Sequence, residues 1–191
     1  MSPFEFIILF LSFIYSLALT HLLFAWTRMI RHRRQLVISW PHLLWMLVAL
    51  FNLADDWISL WDFRDLAALS LATIASALLF GVVNYALCAL VSPDFEAGET
   101  YDLKNFHARE GQTYMLAYLV MILSSIAFNF LAGAELGVEK WGNENTLVML
   151  QVPPVLLGLA VKRTWVQLLA PALLLALTIS YAVVYYPVLA R

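Results

Sequence analysis

A single cysteine, Cys88, leaves no partner for an intrachain disulfide and no CxxC-type site. Charge is scarce as well: 13% of the 191 residues are Asp, Glu, Lys or Arg, against the ~25% usual in soluble domains. A soluble core of this size could not hide a chain that is 63% hydrophobic. Motifs of catalysis are missing too. There is no Ser/His/Asp pattern, no Gly-rich phosphate loop and no HxxxH or HxxH pair. His21, His32, His42 and His107 share no helix face at ligand spacing, so no metal site is read. No mid-span lysine offers a retinal Schiff base, and no TVGYG-type filter is present. The net charge of −2 gives no sign of nucleic-acid binding. The start, MSPFEF, has an acid where a basic n-region would stand, and no small-residue cleavage site follows. The first segment is therefore expected to be a retained span.

What is present is apolar sequence in long pieces. Six windows lack Asp, Glu, Lys and Arg: Phe6–Thr27, Gln35–Ala54, Leu66–Pro93, Gly111–Ala134, Asn145–Val161 and Thr164–Ala190. A helix needs about 20 residues to cross the hydrocarbon core, and only helices or closed barrels satisfy their backbone there. Barrel alternation is absent. The expectation is an all-α polytopic membrane bundle of six transmembrane helices in one domain, residues 1–191. The helices fall near 4–30, 40–61, 66–92, 111–133, 145–161 and 164–187.

The stretch Thr20–Trp45 organises the rest. An apolar helix runs into Arg28, Arg31, Arg33 and Arg34, and a second apolar segment leaves from Trp40. These arginines are expected to bind anionic lipid headgroups. Eight basic residues fall in loops 1–2, 3–4 and 5–6, including Lys104, Arg109, Lys162 and Arg163. The other side holds three: Arg64, Lys140 and Arg191. The eight should be cytoplasmic, with both termini outside. Trp26, Trp40, Trp45 and Trp165 then mark the inner interface, and Trp57, Trp61 and Trp141 the outer. With three helices per half, the second half is inverted relative to the first, a 3+3 arrangement seen in transporters. The halves show no convincing sequence match.

Polar residues inside spans mark function or glue helices together. His21 and Asn84 fall at similar depth, near the inner side, where a hydrogen bond between them is compatible with the spacing. His21 reads either as a satisfied neutral histidine or as a proton-carrying or ligand-binding one. If Ser39 caps helix 2 with Pro41 in its first turn, Asp55 lies about 22–24 Å along it. Asp55 and Asp56 then sit beneath the outer interface, with Asn52 one turn deeper and Asn129 and Gln151 at comparable depth. The pair reads as a cation-attracting vestibule rimmed by Asp62, Arg64 and Asp65. If helix 2 instead starts at Gln35, the acids simply reach outer water. Adjacent residues point about 100° apart, so at most one acid faces a given partner squarely.

Helix 5 is the shortest window and contains Pro153 and Pro154. It reads as a packed kink or as a Pro-interrupted binding segment. His21 and His42 could approach across the first hairpin as axial haem ligands. In loop 3–4, Asp94, Glu96, Glu99, Asp102, His107 and Glu110 fit no EF-hand spacing and read as a solvated acidic loop. No cofactor is expected.

The runs Thr20-His21-Leu22-Leu23, Arg28-Met29-Ile30-Arg31 and Trp40-Pro41-His42-Leu43-Leu44-Trp45 resemble a group of small uncharacterised bacterial inner-membrane proteins. The likeness covers mainly the first hairpin. It implies a six-helix membrane protein and brings no activity or site residue with it.

The leading functional expectation is an ion or small-solute channel or transporter, not an enzyme, working as a homo-oligomer in the bilayer. Asp55 and Asp56 would attract cations, Asn52, Asn129 and Gln151 would line the route, and His21 with Asn84 would gate or relay protons. The alternative is a non-catalytic assembly, sensor or regulatory subunit docked on a membrane protein partner. A membrane enzyme or cofactor carrier is a third reading.

Overall fold

The computed structural model describes residues 3–64, 70–95, 100–136 and 145–186. Its helices are α1 (Pro3–Arg31), α2 (Trp40–Ser59), α3 (Leu71–Val91), α4 (Leu103–Leu136), α5 (Val152–Ala160) and α6 (Thr164–Tyr185). A 3-10 turn, Leu60–Phe63, extends α2, and a helical turn over 145–149 precedes α5. Among the described residues the only β pairing is an isolated parallel bridge, Val37 with Asp102.

α1 shows how these helices are built. After Pro3 no glycine or proline interrupts it, and Arg28 and Arg31 occupy its last turn, where cations complement the helix dipole. Leu11, Tyr15, Ala18, Leu22, Ala25 and Met29, spaced three or four apart, form its one buried stripe. Phe6, Phe10, Phe13, Leu17 and Phe24 point outward, each more than half exposed. An apolar exterior of this extent is what lipid covers. α1 from Phe4, α3, α4 as far as Gly133, and α6 are long and apolar enough to cross a bilayer. α2 and the segment Asn145–Ala160 fall outside that set. α2 fails on composition: it carries His42, Asn52, Asp55 and Asp56. It packs on α1, α3, α4 and α6, and His42, Asn52 and Asp56 are buried there. A helix that carries two adjacent acids thus packs against four others.

Several helix ends differ from expectation. α4 starts at Leu103, not near 111, because Asp102 Oδ1 accepts the backbone N–H groups of Lys104 (2.9 Å) and Asn105 (3.0 Å). That cap carries regular helix through Lys104, His107, Arg109 and Glu110, a stretch expected only as an amphipathic turn leading into the helix. α2 starts at Trp40 with Ser39 extended before it and Pro41 in the first turn, so the longer helix from Gln35 does not form. α3 is capped by Ser70, whose Oγ accepts from the Thr73 N–H at 3.1 Å. Asp65, Glu96, Glu99, Lys140, Trp141 and Arg191 lie outside the described residues, as does the side chain of Asp62.

The loops rich in basic residues meet at one end of the bundle. Val37 N–H donates to Tyr101 O (2.8 Å) and Leu103 N–H to Val37 O (3.0 Å). His32 stacks on Tyr101 with ring centroids 4.3 Å apart. Arg28 donates to the Asp94 carboxylate and to the Phe95 carbonyl. Gln167, just after Lys162 and Arg163, lies against His107.

Candidate functional site

Helical periodicity brings one set of polar side chains into the interior. On α2, His42, Trp45, Asn52 and Asp56 share a face (steps of three, seven and four), and all four are buried. Asn52 Nδ2 donates to Asp56 Oδ2 at 2.7 Å and also reaches Met121 Sδ of α4 at 3.5 Å. From α4, the Tyr118 hydroxyl donates to Gln151 Oε1 at 2.7 Å and lies 3.4 Å from Asn52 Oδ1. Asn84 of α3 lies beside Asp56, and Thr178 of α6 lies beside the Tyr118 hydroxyl. Tyr15 of α1 approaches Asp56 from the remaining side. Every long helix therefore offers a polar side chain to one centre.

The break before α5 completes this centre. Leu150 and Gln151 form a turn that departs from regular α-helix, with Gln151 still right-handed (φ −77°, ψ −20°), and Pro153 and Pro154 follow in the first turn of α5. A proline there loses no helical hydrogen bond. The helical run Asn145–Ala160 is thus kinked at one turn just before the prolines, and Gln151 at that turn meets Tyr118. Gly158 is where α5 comes close to its neighbours: a Cβ there would meet Met115 Sδ at 3.4 Å and Trp45 at 3.5 Å.

Of the residues expected to form a pathway, Asn52, Asp56, Gln151 and Asn84 come together. Asp55 is partly exposed, since it points away from Asp56 around the helix. Asn129 does not join; its Nδ2 donates to Asn145 Oδ1 at 3.2 Å, toward the end opposite the basic loops. The expected His21–Asn84 contact does not form. His21 is exposed and pairs with the Tyr85 hydroxyl at 3.2 Å. Tyr85 and Asn84 are neighbours about 100° apart, so one faces α1 and the other the interior. The His21–His42 pairing fails as well, because His42 is fully buried against Phe106, His107 and Tyr114. Arg28, grouped with Arg31, Arg33 and Arg34 for headgroups, spends its guanidinium on Asp94 and Phe95. The others line a cavity of about 360 Å³ with His32 and Gln35.

Sequence reasoning missed Tyr118, Thr178, Tyr15, Tyr114 and Gln167. The signal was present in α4, where His107, Tyr114 and Tyr118 fall on one face of an apolar helix at steps of seven and four. A phenol deep in a span needs a polar partner. His107 Nδ1 and the Tyr114 hydroxyl are bonded to each other, and Gln167 Nε2 donates to Gly158 O and Val161 O, both at 2.7 Å. This second group lies at the basic end, separated from the Asp56 centre by Trp45, which packs on both Tyr114 and Tyr118.

Among the described residues no group of three or more His, Cys, Asp or Glu side chains is placed to hold a metal ion. No protein-family model, no curated protein and no solved structure matches this chain.

Proposed function

We propose that this protein is an ion or small-solute permeation protein, a channel or transporter, working as a homo-oligomer in the bacterial inner membrane with both termini outside. One observation carries the reading: a polar network built on a buried carboxylate, Asp56, lies inside helices whose outer faces are apolar. Ionisable groups inside a membrane bundle are expensive to bury and mark ion or substrate routes. The Pro-interrupted turn that presents Gln151 to the network also fits the short, interrupted segments found at transport sites. Arg31, Arg33 and Arg34 hold the basic end at an anionic lipid surface.

The test is flux into proteoliposomes containing the purified chain. Cation or solute uptake above that of empty vesicles, abolished by Asp56→Asn, supports the reading. Uptake equal to that of empty vesicles across several ions and both directions of pH gradient removes it.

A second reading is a non-catalytic subunit of a larger membrane complex. It is favoured by α1, whose most apolar stretch is only 22% buried, the least of the four long helices. That face would take a partner helix. Co-purification of one membrane protein at fixed ratio, lost on replacing Phe13 and Leu17 with alanine, separates it from the first reading.

A further inference from the structure

The turn that follows α1 gathers cations around an opening. Arg31, His32, Arg33, Arg34 and Gln35 line the cavity of about 360 Å³, and no carboxylate lines it. Of the described acids on the loop packed against this turn, Asp94 is held by Arg28, and Asp102 Oδ1 caps α4. The C-terminus of α1 carries about half a negative charge, which three guanidinium groups outweigh. His32 is fixed on the same wall. Its ring stacks on Tyr101, with centroids 4.3 Å apart and planes 11° from parallel. Its Nδ1 lies 3.0 Å from Arg28 O. A carbonyl oxygen only accepts, so Nδ1 carries the ring proton and Nε2 of the neutral imidazole is left as an acceptor. Three planar donors and one acceptor therefore share a cavity.

We propose that the Arg31–Gln35 turn is a binding site for a phosphomonoester group, with Arg31, Arg33 and Arg34 on its oxygens and His32 Nε2 sharing its second proton. Guanidinium groups match phosphate oxygens with paired N–H bonds. A phosphodiester has acceptor oxygens only and brings nothing for Nε2. A phosphomonoester keeps a second proton, lost near pH ~6. It either donates that proton to Nε2 or, with the proton on His32, presents two charges to four cations. Ile30 and Trp40, on either side of the turn, are each more than half exposed. An apolar rim beside the cavity favours a monoester carried on a lipid over a free one. The inference rests on the reading of these arginines as headgroup ligands and names which headgroup they take.

The experiment offers the full chain in detergent equal amounts of phosphatidic acid, a monoester, and phosphatidylmethanol, the diester that differs by one methyl group. Native mass spectrometry reads which lipid is retained. Phosphatidic acid is expected to exceed phosphatidylmethanol about tenfold, the worth of one hydrogen bond to a charged group. His32→Asn keeps an N–H for Arg28 O and removes Nε2. It should abolish the preference while retention of phosphatidylmethanol, which reports an intact turn, stays unchanged. Equal retention of the two lipids by the parent chain, a comparison that needs no variant, overturns the site. So does a preference that survives His32→Asn. If both lipids are still held better than phosphatidylcholine, the headgroup reading stands without the site; if neither is, that reading falls with it. Displacement of phosphatidic acid by excess glycerol 3-phosphate makes a soluble monoester the occupant, and resistance to displacement makes it the lipid.

Discussion

Tyr118 donates its hydroxyl to Oε1 of Gln151 at 2.7 Å, tying the middle of α4 to the break that precedes α5. Both partners are buried, so the bond is hard to replace with water. Tyr118→Phe leaves Gln151 Oε1 without its donor, and an unsatisfied buried group costs about 1–3 kcal/mol. Tyr118→Phe combined with Gln151→Leu should regain much of that loss, because removing both partners is nearly neutral. Thermal unfolding of the two variants in detergent checks the pair. Additive losses would mean that the bond carries no coupling.

Gly158 sets how closely α5 approaches α2, α4 and α6. The atoms a Cβ would meet there are Met115 Sδ, Trp45 Cζ2 at 3.5 Å and Ala170 Cβ at 3.6 Å. These are ordinary contacts, so Gly158→Ala should leave the midpoint within about 0.5 kcal/mol of the parent, the scale of changes that disturb nothing. Gly158→Leu overfills the seam and should cost about 1–3 kcal/mol. Because Trp45 lines the seam, the larger variant should also shift its fluorescence.

Arg28 holds loop 3–4 by two bonds of unequal worth. Asp94 is 92% exposed, and an ion pair in water contributes about 0–1 kcal/mol. Asp94→Asn should therefore be nearly silent. Arg28→Ala also strips the Phe95 carbonyl of its donor and exposes the Val37–Tyr101 contact, so protease sensitivity of that loop should rise clearly. Equal effects from the two substitutions would argue against the carbonyl bond.

Arg31, Arg33 and Arg34 have no acidic partner among the described residues, and they surround a cavity of about 360 Å³. Each arginine near an anionic surface adds about 1 kcal/mol. Replacing all three with alanine should weaken retention of anionic phospholipid by about a hundredfold, since about 1.4 kcal/mol is tenfold in affinity. Native mass spectrometry of bound lipid reads this, and unchanged lipid occupancy would refute it.

Orientation has a direct test that the chain makes easy. Cys88 is buried, so membrane-impermeant thiol reagents meet little background. Arg31→Cys should label from the cytoplasmic side only.

Much of the architecture was legible in the residue string because hydropathy is a local property. Charge-free windows located the helices. The clustering of Arg28 to Arg34, Lys104, Arg109, Lys162 and Arg163 in alternate loops matches loops that meet at one end. Bounds set by a single hydrogen bond were not legible: α4 starts at Leu103 through the Asp102 cap, and charged residues do not by themselves stop a helix. The interior centre was half legible. Asn52 and Asp56 are spaced by a helical turn, and Gln151 stands beside the prolines. Which way Asn84 and Tyr85 turn depends on how α3 rotates against α1, and no property of either residue reports that.

Composition alone determined that this is a helical chain suited to lipid: hydrocarbon tolerates only backbone that bonds to itself, and the windows are long and uncharged. The tertiary structure decided which polar residues meet. Helix rotation and axial offset are set by the packing of whole faces, so Asp56 found Asn52, Asn84 and Tyr118, while His21 and Asn129 found other partners.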